Sequence, residues 1–225
     1  MNNLSVRAAR GIAQLAIAMA AFLFVPARTL DYWQAWVFLT VFFTATTATT
    51  LYLMKNDQAL LERRMSAGPR VEKEKSQKII LFFTSIGFVA LILVPAIDHR
   101  LEWSQVPTSI VLLGDFIVAL GFLVVFFVFK ENTFTASTVK IMKDQRVIST
   151  GPYAMIRHPM YAGAFLLLLG TPLSLGSYWG LLALAGMMPF LIWRTFDEER
   201  LLSEDLPGYL EYKSKVRSRL IPGVF

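Results

Sequence analysis

Residues 159–193 read PMYAGAFLLLLGTPLSLGSYWGLLALAGMMPFLIW, 35 positions without Asp, Glu, Lys, Arg or His. One straight helix of that length would measure about 52 Å at 1.5 Å per residue, well beyond the ~30 Å hydrocarbon core of a bilayer. Near the middle, Thr171-Pro172-Leu173-Ser174-Leu175-Gly176-Ser177 carries the Pro and Gly of a tight reversal. The stretch therefore predicts a hairpin of two short helices, 159–173 and 178–195, whose arms barely cross a bilayer or stop short of it. A hairpin returns both of its ends to one face, and that decides which polar residues meet.

Upstream, the same search for missing charge finds windows at 11–27, 32–54 and 79–97, and a fourth at 106–129 broken only by Asp115. Each is close to the roughly 20 apolar residues that a spanning helix needs. The predicted fold class is all-α: a polytopic membrane protein with four transmembrane helices, a C-terminal helical hairpin (about six membrane helices) and amphipathic C-terminal helices. Residues 1–105 are expected to form an N-terminal transmembrane portion, and 106–225 a C-terminal portion with the fourth span, the hairpin and the charged tail. Arg7 and Arg10 precede the first window as in a signal peptide, but Val25-Pro26-Ala27-Arg28 is a poor cleavage site and more spans follow, so a retained first helix is expected.

The composition agrees. Of 225 residues 55% are hydrophobic and 17% charged, against about 25% charged in soluble domains. Cys is absent, which removes thiol catalysis, thiolate metal sites and disulfides. The two histidines, His99 and His158, fall on opposite predicted faces, and no metal-ligand spacing is present. With the N-terminus cytosolic, every Lys and Arg except Arg28 and Arg100 lies on the inner side, as the positive-inside rule asks. That distribution accounts for the +6 net charge without nucleic acid. Three segments are expected in the cytosol: a charged loop at 55–78, a connector at 130–158, and an amphipathic segment at 196–225 broken at Pro207-Gly208.

Polar groups bracket the hairpin. Arg157, His158 and Tyr161 stand at its entrance; Arg194, Glu198 and Glu199 stand at its exit. The alternative to function is topological, since Arg and Glu flank most membrane helices as interfacial anchors. Arg157-His158-Pro159-Met160-Tyr161-Ala162-Gly163, followed about 35 residues later by Glu198-Glu199, resembles the signature of the isoprenylcysteine carboxyl methyltransferase family. These are integral membrane enzymes that use S-adenosylmethionine, and their relatives methylate phospholipid amines. The resemblance extends over roughly 132–222, through Asn132, Val147 to Tyr153, and Tyr209 to Lys213.

The resemblance implies a cofactor site. Gln145, Arg146, Val147 and Ile148, then Tyr153, then His158, Pro159, Met160 and Tyr161 would wrap S-adenosylmethionine, with Glu198 and Glu199 at the hairpin exit. Arg194 would sit beside the substrate, and Thr138 stands where some members have a cofactor-contacting Gln. The residue chemistry is consistent. A carboxylate accepts hydrogen bonds or faces a cation, aromatic faces suit a sulfonium, and Pro159 suits the first turn of a helix. Gly163 permits close approach of backbone or ligand. No strand–glycine–helix pattern for a Rossmann methyltransferase is present.

The implied reaction is methyl transfer to a hydrophobic or prenylated acceptor at a cytosolic active site. A carboxylate nucleophile needs no base, whereas an amine must first lose a proton. His158 is therefore open to three roles: base, cofactor ligand or structural hydrogen-bond partner. Asp115 lines a lipid-substrate tunnel or makes a polar helix contact, and His99 is expected solvated in an outer loop. Phospholipid or other small-lipid methylation, and a non-enzymatic membrane transport or interaction protein, are the competing functions. The sequence leaves the oligomeric state undetermined.

Overall fold

The computed structural model describes residues 3–65, 75–135 and 145–223. Among the described residues there are helices and connecting turns and no strand: α1 Asn3–Ala27, α2 Trp33–Asn56, α3 Gln58–Met65, α4 Lys75–Leu101, α5 Thr108–Glu131, a 3-10 turn at Gly151–Ala154, α6 Pro159–Ser174, α7 Gly180–Asp205 and α8 Tyr209–Lys215. The four long helices α1, α2, α4 and α5 are long and apolar enough to cross a membrane. Large apolar side chains face outward along them, among them Ile17, Phe82 and Phe116. In water such a surface would be unfavourable; against lipid tails it is neutral.

The hairpin forms as the sequence predicts, with Leu175-Gly176-Ser177 turning between α6 and α7. Gly176 takes φ +73°, a conformation that L side chains rarely adopt. The turn is tied to the loops at that end of the bundle. Tyr32 donates its hydroxyl to the Leu175 carbonyl at 2.7 Å, Ser177 donates to the Asp98 carboxylate, and Tyr178 N–H donates to Ser104 Oγ at 3.1 Å. Trp33, Trp36, Trp103 and Trp179 are exposed at this same end, where amphipathic rings favour a membrane–water interface. The hairpin thus reaches the end of the bundle opposite to its own termini.

Glycines fix how α6 sits. Gly114 and Gly121 of α5 face Gly170 and Gly163 of the antiparallel α6. A Cβ at Gly170 would lie 2.7 Å from the Gly114 carbonyl oxygen, and one at Gly163 would lie 3.1 Å from that of Gly121. Where association cannot rely on excluding water, such backbone contact supplies dispersion and weak polar attraction. Of the two approaches open for Gly163, the structure has the backbone of α5.

Three expectations are corrected. The charged loop at 55–78 contains a helix, α3, because Asp57 Oδ1 accepts the Leu60 N–H at 2.8 Å and Leu60 and Leu61 are buried. Helix α7 does not end at 195 but continues to Asp205, where Pro207-Gly208 breaks the chain as expected. His99 is not in a loop. It lies in the last turn of α4, stacked on Tyr32 with ring centroids 3.9 Å apart, and its Nε2 is 3.1 Å from the Asp31 carbonyl.

Candidate functional site

The site begins at the N-terminus of α6. Pro159 occupies the first helical turn, where its missing N–H costs nothing. Just before it, the N–H groups of Arg157 and His158 donate to the carbonyls of Ser218 and Arg219 at 3.0 and 2.9 Å. The C-terminal segment is thereby laid beside the hairpin entrance. Two residues into α6, Tyr161 points towards α7.

On α7, positions 194, 198, 201 and 202 share one face by helical spacing. Arg194 Nε donates to Tyr161 Oη at 3.1 Å, and Tyr161 Oη donates to Glu198 Oε2 at 2.5 Å. These residues border a cavity of about 340 Å³, within the range of small-molecule sites. Gln145, Arg146, Val147 and Ile148 line it, as do Tyr153, His158, Pro159, Met160 and Tyr161, together with Arg194 and Glu198. The residues that the resemblance assigned to the cofactor or the acceptor head, apart from Glu199 and Thr138, thus line one space. Thr138 lies outside the described residues.

Glu199 faces elsewhere. Its carboxylate is buried and does not line the cavity. Oε1 accepts from Arg157 Nε at 2.6 Å and from His158 Nε2 at 3.3 Å; Oε2 accepts from Arg219 Nε at 3.1 Å, with Lys213 Nζ at 3.7 Å. Burial alone would raise its pKa. The hydrogen bonds from His158, Arg157 and Arg219 outweigh that and hold the carboxyl well below the usual carboxylate range. Arg157 also donates to the carbonyls of Val216 and Arg217. Glu199 is therefore the hub that joins hairpin entrance, hairpin exit and C-terminal segment.

The remaining walls come from residues not assigned a role above. Asn132 Nδ2 donates to Tyr153 Oη at 2.9 Å and fixes the ring. Tyr212 Oη donates to the Tyr153 carbonyl at 2.7 Å, and burial pushes the Tyr212 hydroxyl up to about 12. Both Tyr209 and Tyr212 of α8 line the cavity, as does Arg64 of α3. The tyrosines had a sequence signal in the 209–213 match; Arg64 had none beyond being one charge in a charged run.

The arrangement offers a carboxylate aligned by a tyrosine, aromatic walls, an apolar floor of Leu201, Leu202 and Leu206, and several guanidinium groups. Such a space suits a ligand with both cationic and anionic groups beside an apolar one.

Comparison with known proteins adds to this. Residues 109–206 match the model of the phospholipid methyltransferase family. The chain is also 33% identical over 82 residues to a protein named protein-S-isoprenylcysteine O-methyltransferase from Schizosaccharomyces pombe, a match spanning 34% of this chain and 33% of that relative. The chain therefore matches about a third of the length of that curated relative. The family resemblance read from 157–163 and Glu198-Glu199 is borne out, and the matched segment also takes in α5, the helix whose glycines seat α6.

Proposed function

We propose that this protein is an integral membrane methyltransferase that moves a methyl group from S-adenosylmethionine to a lipid-like acceptor, a carboxylate of the isoprenylcysteine type. The observation that carries the reading is the Arg194–Tyr161–Glu198 chain, opening on one cavity together with the 145–148 segment at the end of an apolar helical bundle. The family match and the similarity to an isoprenylcysteine methyltransferase support the reaction class.

The residues present fit S-adenosylmethionine. Glu198, aligned by Tyr161, accepts hydrogen bonds from a ribose diol or an amino group. The Tyr153 and Tyr161 rings suit adenine and sulfonium. Once bound, the cofactor supplies an electrophilic methyl on a good leaving group. What remains for the protein is alignment and exclusion of water. Arg194 orients the acceptor head, and Arg157, which lines the cavity, ties it to the 216–219 segment through the Val216 and Arg217 carbonyls. A carboxylate acceptor needs no base, so the hydrogen bond to Glu199 gives His158 a positioning role. The acceptor's tail stays among apolar helices, and the basic end of the bundle, with the site, faces the cytosol.

Purified protein in detergent, given methyl-labelled S-adenosylmethionine and a series of carboxylate-headed acceptors of increasing chain length, tests this. Below saturation, transfer rises steeply with length, since each CH₂ kept in apolar surroundings is worth about 0.8 kcal/mol. Equal transfer to short and long acceptors, or none to any, contradicts it.

A further inference from the structure

Helix α3 lies outside the family-matched segment, yet it reaches the cavity. Its placement is over-determined. Asp57 Oδ1 caps it at the Leu60 N–H. Arg63 Nη2 donates to the Thr133 carbonyl at 2.5 Å, and the Thr133 hydroxyl donates back to Asp57 Oδ2. Leu60 and Leu61 are buried with Leu53 and Phe129, and Met160 of α6 packs against the same cluster. The next residue after Arg63 is thereby aimed. Arg64 places its guanidinium carbon 5.1 Å from the centre of the Phe129 ring, a cation–π contact, and lines the cavity with Tyr161 and Arg194.

Two guanidinium groups on one partly buried cavity disfavour each other. Burial and the nearby Arg194 charge both lower the pKa of Arg64, with Tyr161 acting the other way. An oxyanion between the two would be attracted by both, because planar guanidinium groups match carboxylate geometry. A primary ammonium placed between Arg64 and Arg194 would meet two like charges, with Glu198, the carboxylate assigned to the cofactor, reached from Arg194 through the Tyr161 hydroxyl.

We propose that Arg64 is a specificity-determining residue that, with Arg194, selects an acceptor whose reactive head is a carboxylate and disfavours an amine. This rests on the methyltransferase reading above, of which it fixes the acceptor class. Arg194 approaches from the hairpin exit and Arg64 from α3. Neither residue alone defines the pair, and the Arg64 half is supplied by the N-terminal part of the chain.

The test is binding without cofactor, so that it reads independently of methyl transfer. Wild type, Arg64→Gln and Arg64→Lys, each checked for an unchanged thermal midpoint, are titrated with an N-acetyl-S-farnesylcysteine bearing a free carboxylate, its carboxamide, and farnesylamine. The expected result has three parts. Wild type prefers the acid, Arg64→Gln weakens the acid by about ten- to a hundredfold while leaving the amide unchanged, and Arg64→Lys recovers part of the loss. Equal weakening of acid and amide, or no weakening of the acid, overturns the assignment. So does tighter binding of farnesylamine than of the acid to wild type. Failure of wild type to bind S-adenosylmethionine would remove the methyltransferase reading while leaving this comparison of head groups to stand or fall by itself.

Discussion

The hydroxyl of Tyr161 sits 2.5 Å from Glu198 Oε2 and donates to it, joining the first turn of α6 to the C-terminal half of α7. The same hydroxyl accepts from Arg194 Nε at 3.1 Å. One phenol therefore sets the orientation of both the carboxylate assigned to the cofactor and the guanidinium assigned to the acceptor.

Tyr161→Phe keeps the ring and removes both hydrogen bonds. Net hydrogen bonds to charged groups are worth about 1.5–3 kcal/mol. S-adenosylmethionine affinity, measured by calorimetric titration, is expected to fall about tenfold, with a thermal midpoint lowered by a few degrees. An unchanged affinity would mean that Glu198 does not need Tyr161 for its alignment.

Glu199→Gln is expected to act on stability. It leaves Arg157 buried beside a neutral partner, and removing one partner of a buried pair costs about 3–5 kcal/mol. The thermal midpoint should drop, and limited proteolysis should cut the 216–219 segment faster. The pH dependence follows from the depressed pKa. Because the folded value lies below the unfolded one, the stabilising contribution is complete above the unfolded carboxylate pKa, about 4.3, and is lost as pH falls through the folded value. The stability gap between wild type and Glu199→Gln should be flat from about pH 6 upward and shrink progressively as pH falls below the unfolded value of about 4.3.

Glu198 and Glu199 illustrate where the sequence stops being informative. Adjacent helical residues point about 100° apart, so only one of the pair can face the cavity with Arg194, and a string of letters does not say which. Glu198 shares the face of Arg194 because they are four apart. Charge-free windows locate spans well, since burying a charge in lipid is costly, and the hairpin reversal was readable from Pro172 and Gly176. The same signal misplaced the end of α7. Charges resuming at Arg194 mark where the apolar environment ends, whereas the helix runs on to Asp205. Helix α3 was hidden because eight residues with three charges carry little periodicity. The placement of Arg64 and Arg194 on one cavity is purely tertiary, and nothing local announces it.

Gly170→Ala tests the α5–α6 seam. The new methyl would meet the Gly114 carbonyl oxygen at 2.7 Å and the Val118 nitrogen at 2.9 Å, both backbone atoms that cannot swing aside. Overpacking of this kind costs about 1–3 kcal/mol. A lowered thermal midpoint in detergent is expected, whereas Gly186→Ala, where a Cβ meets nothing within 4 Å, should not lower it.

The absence of native Cys makes topology directly measurable. Single cysteines at Glu102 and Glu211, both exposed and at opposite ends of the bundle, should label from opposite sides of the membrane. Position 211 should react only from the cytosolic side. Labelling of both from one side would contradict the orientation drawn from the basic residues.

The most direct test of the central claim is a calorimetric titration of S-adenosylmethionine into detergent-solubilised wild type and Glu198→Gln. The account predicts saturable binding of one cofactor per chain to wild type, weakened about ten- to a hundredfold by the substitution, with both proteins equally folded. No binding to wild type, or equal affinity in Glu198→Gln, would contradict it.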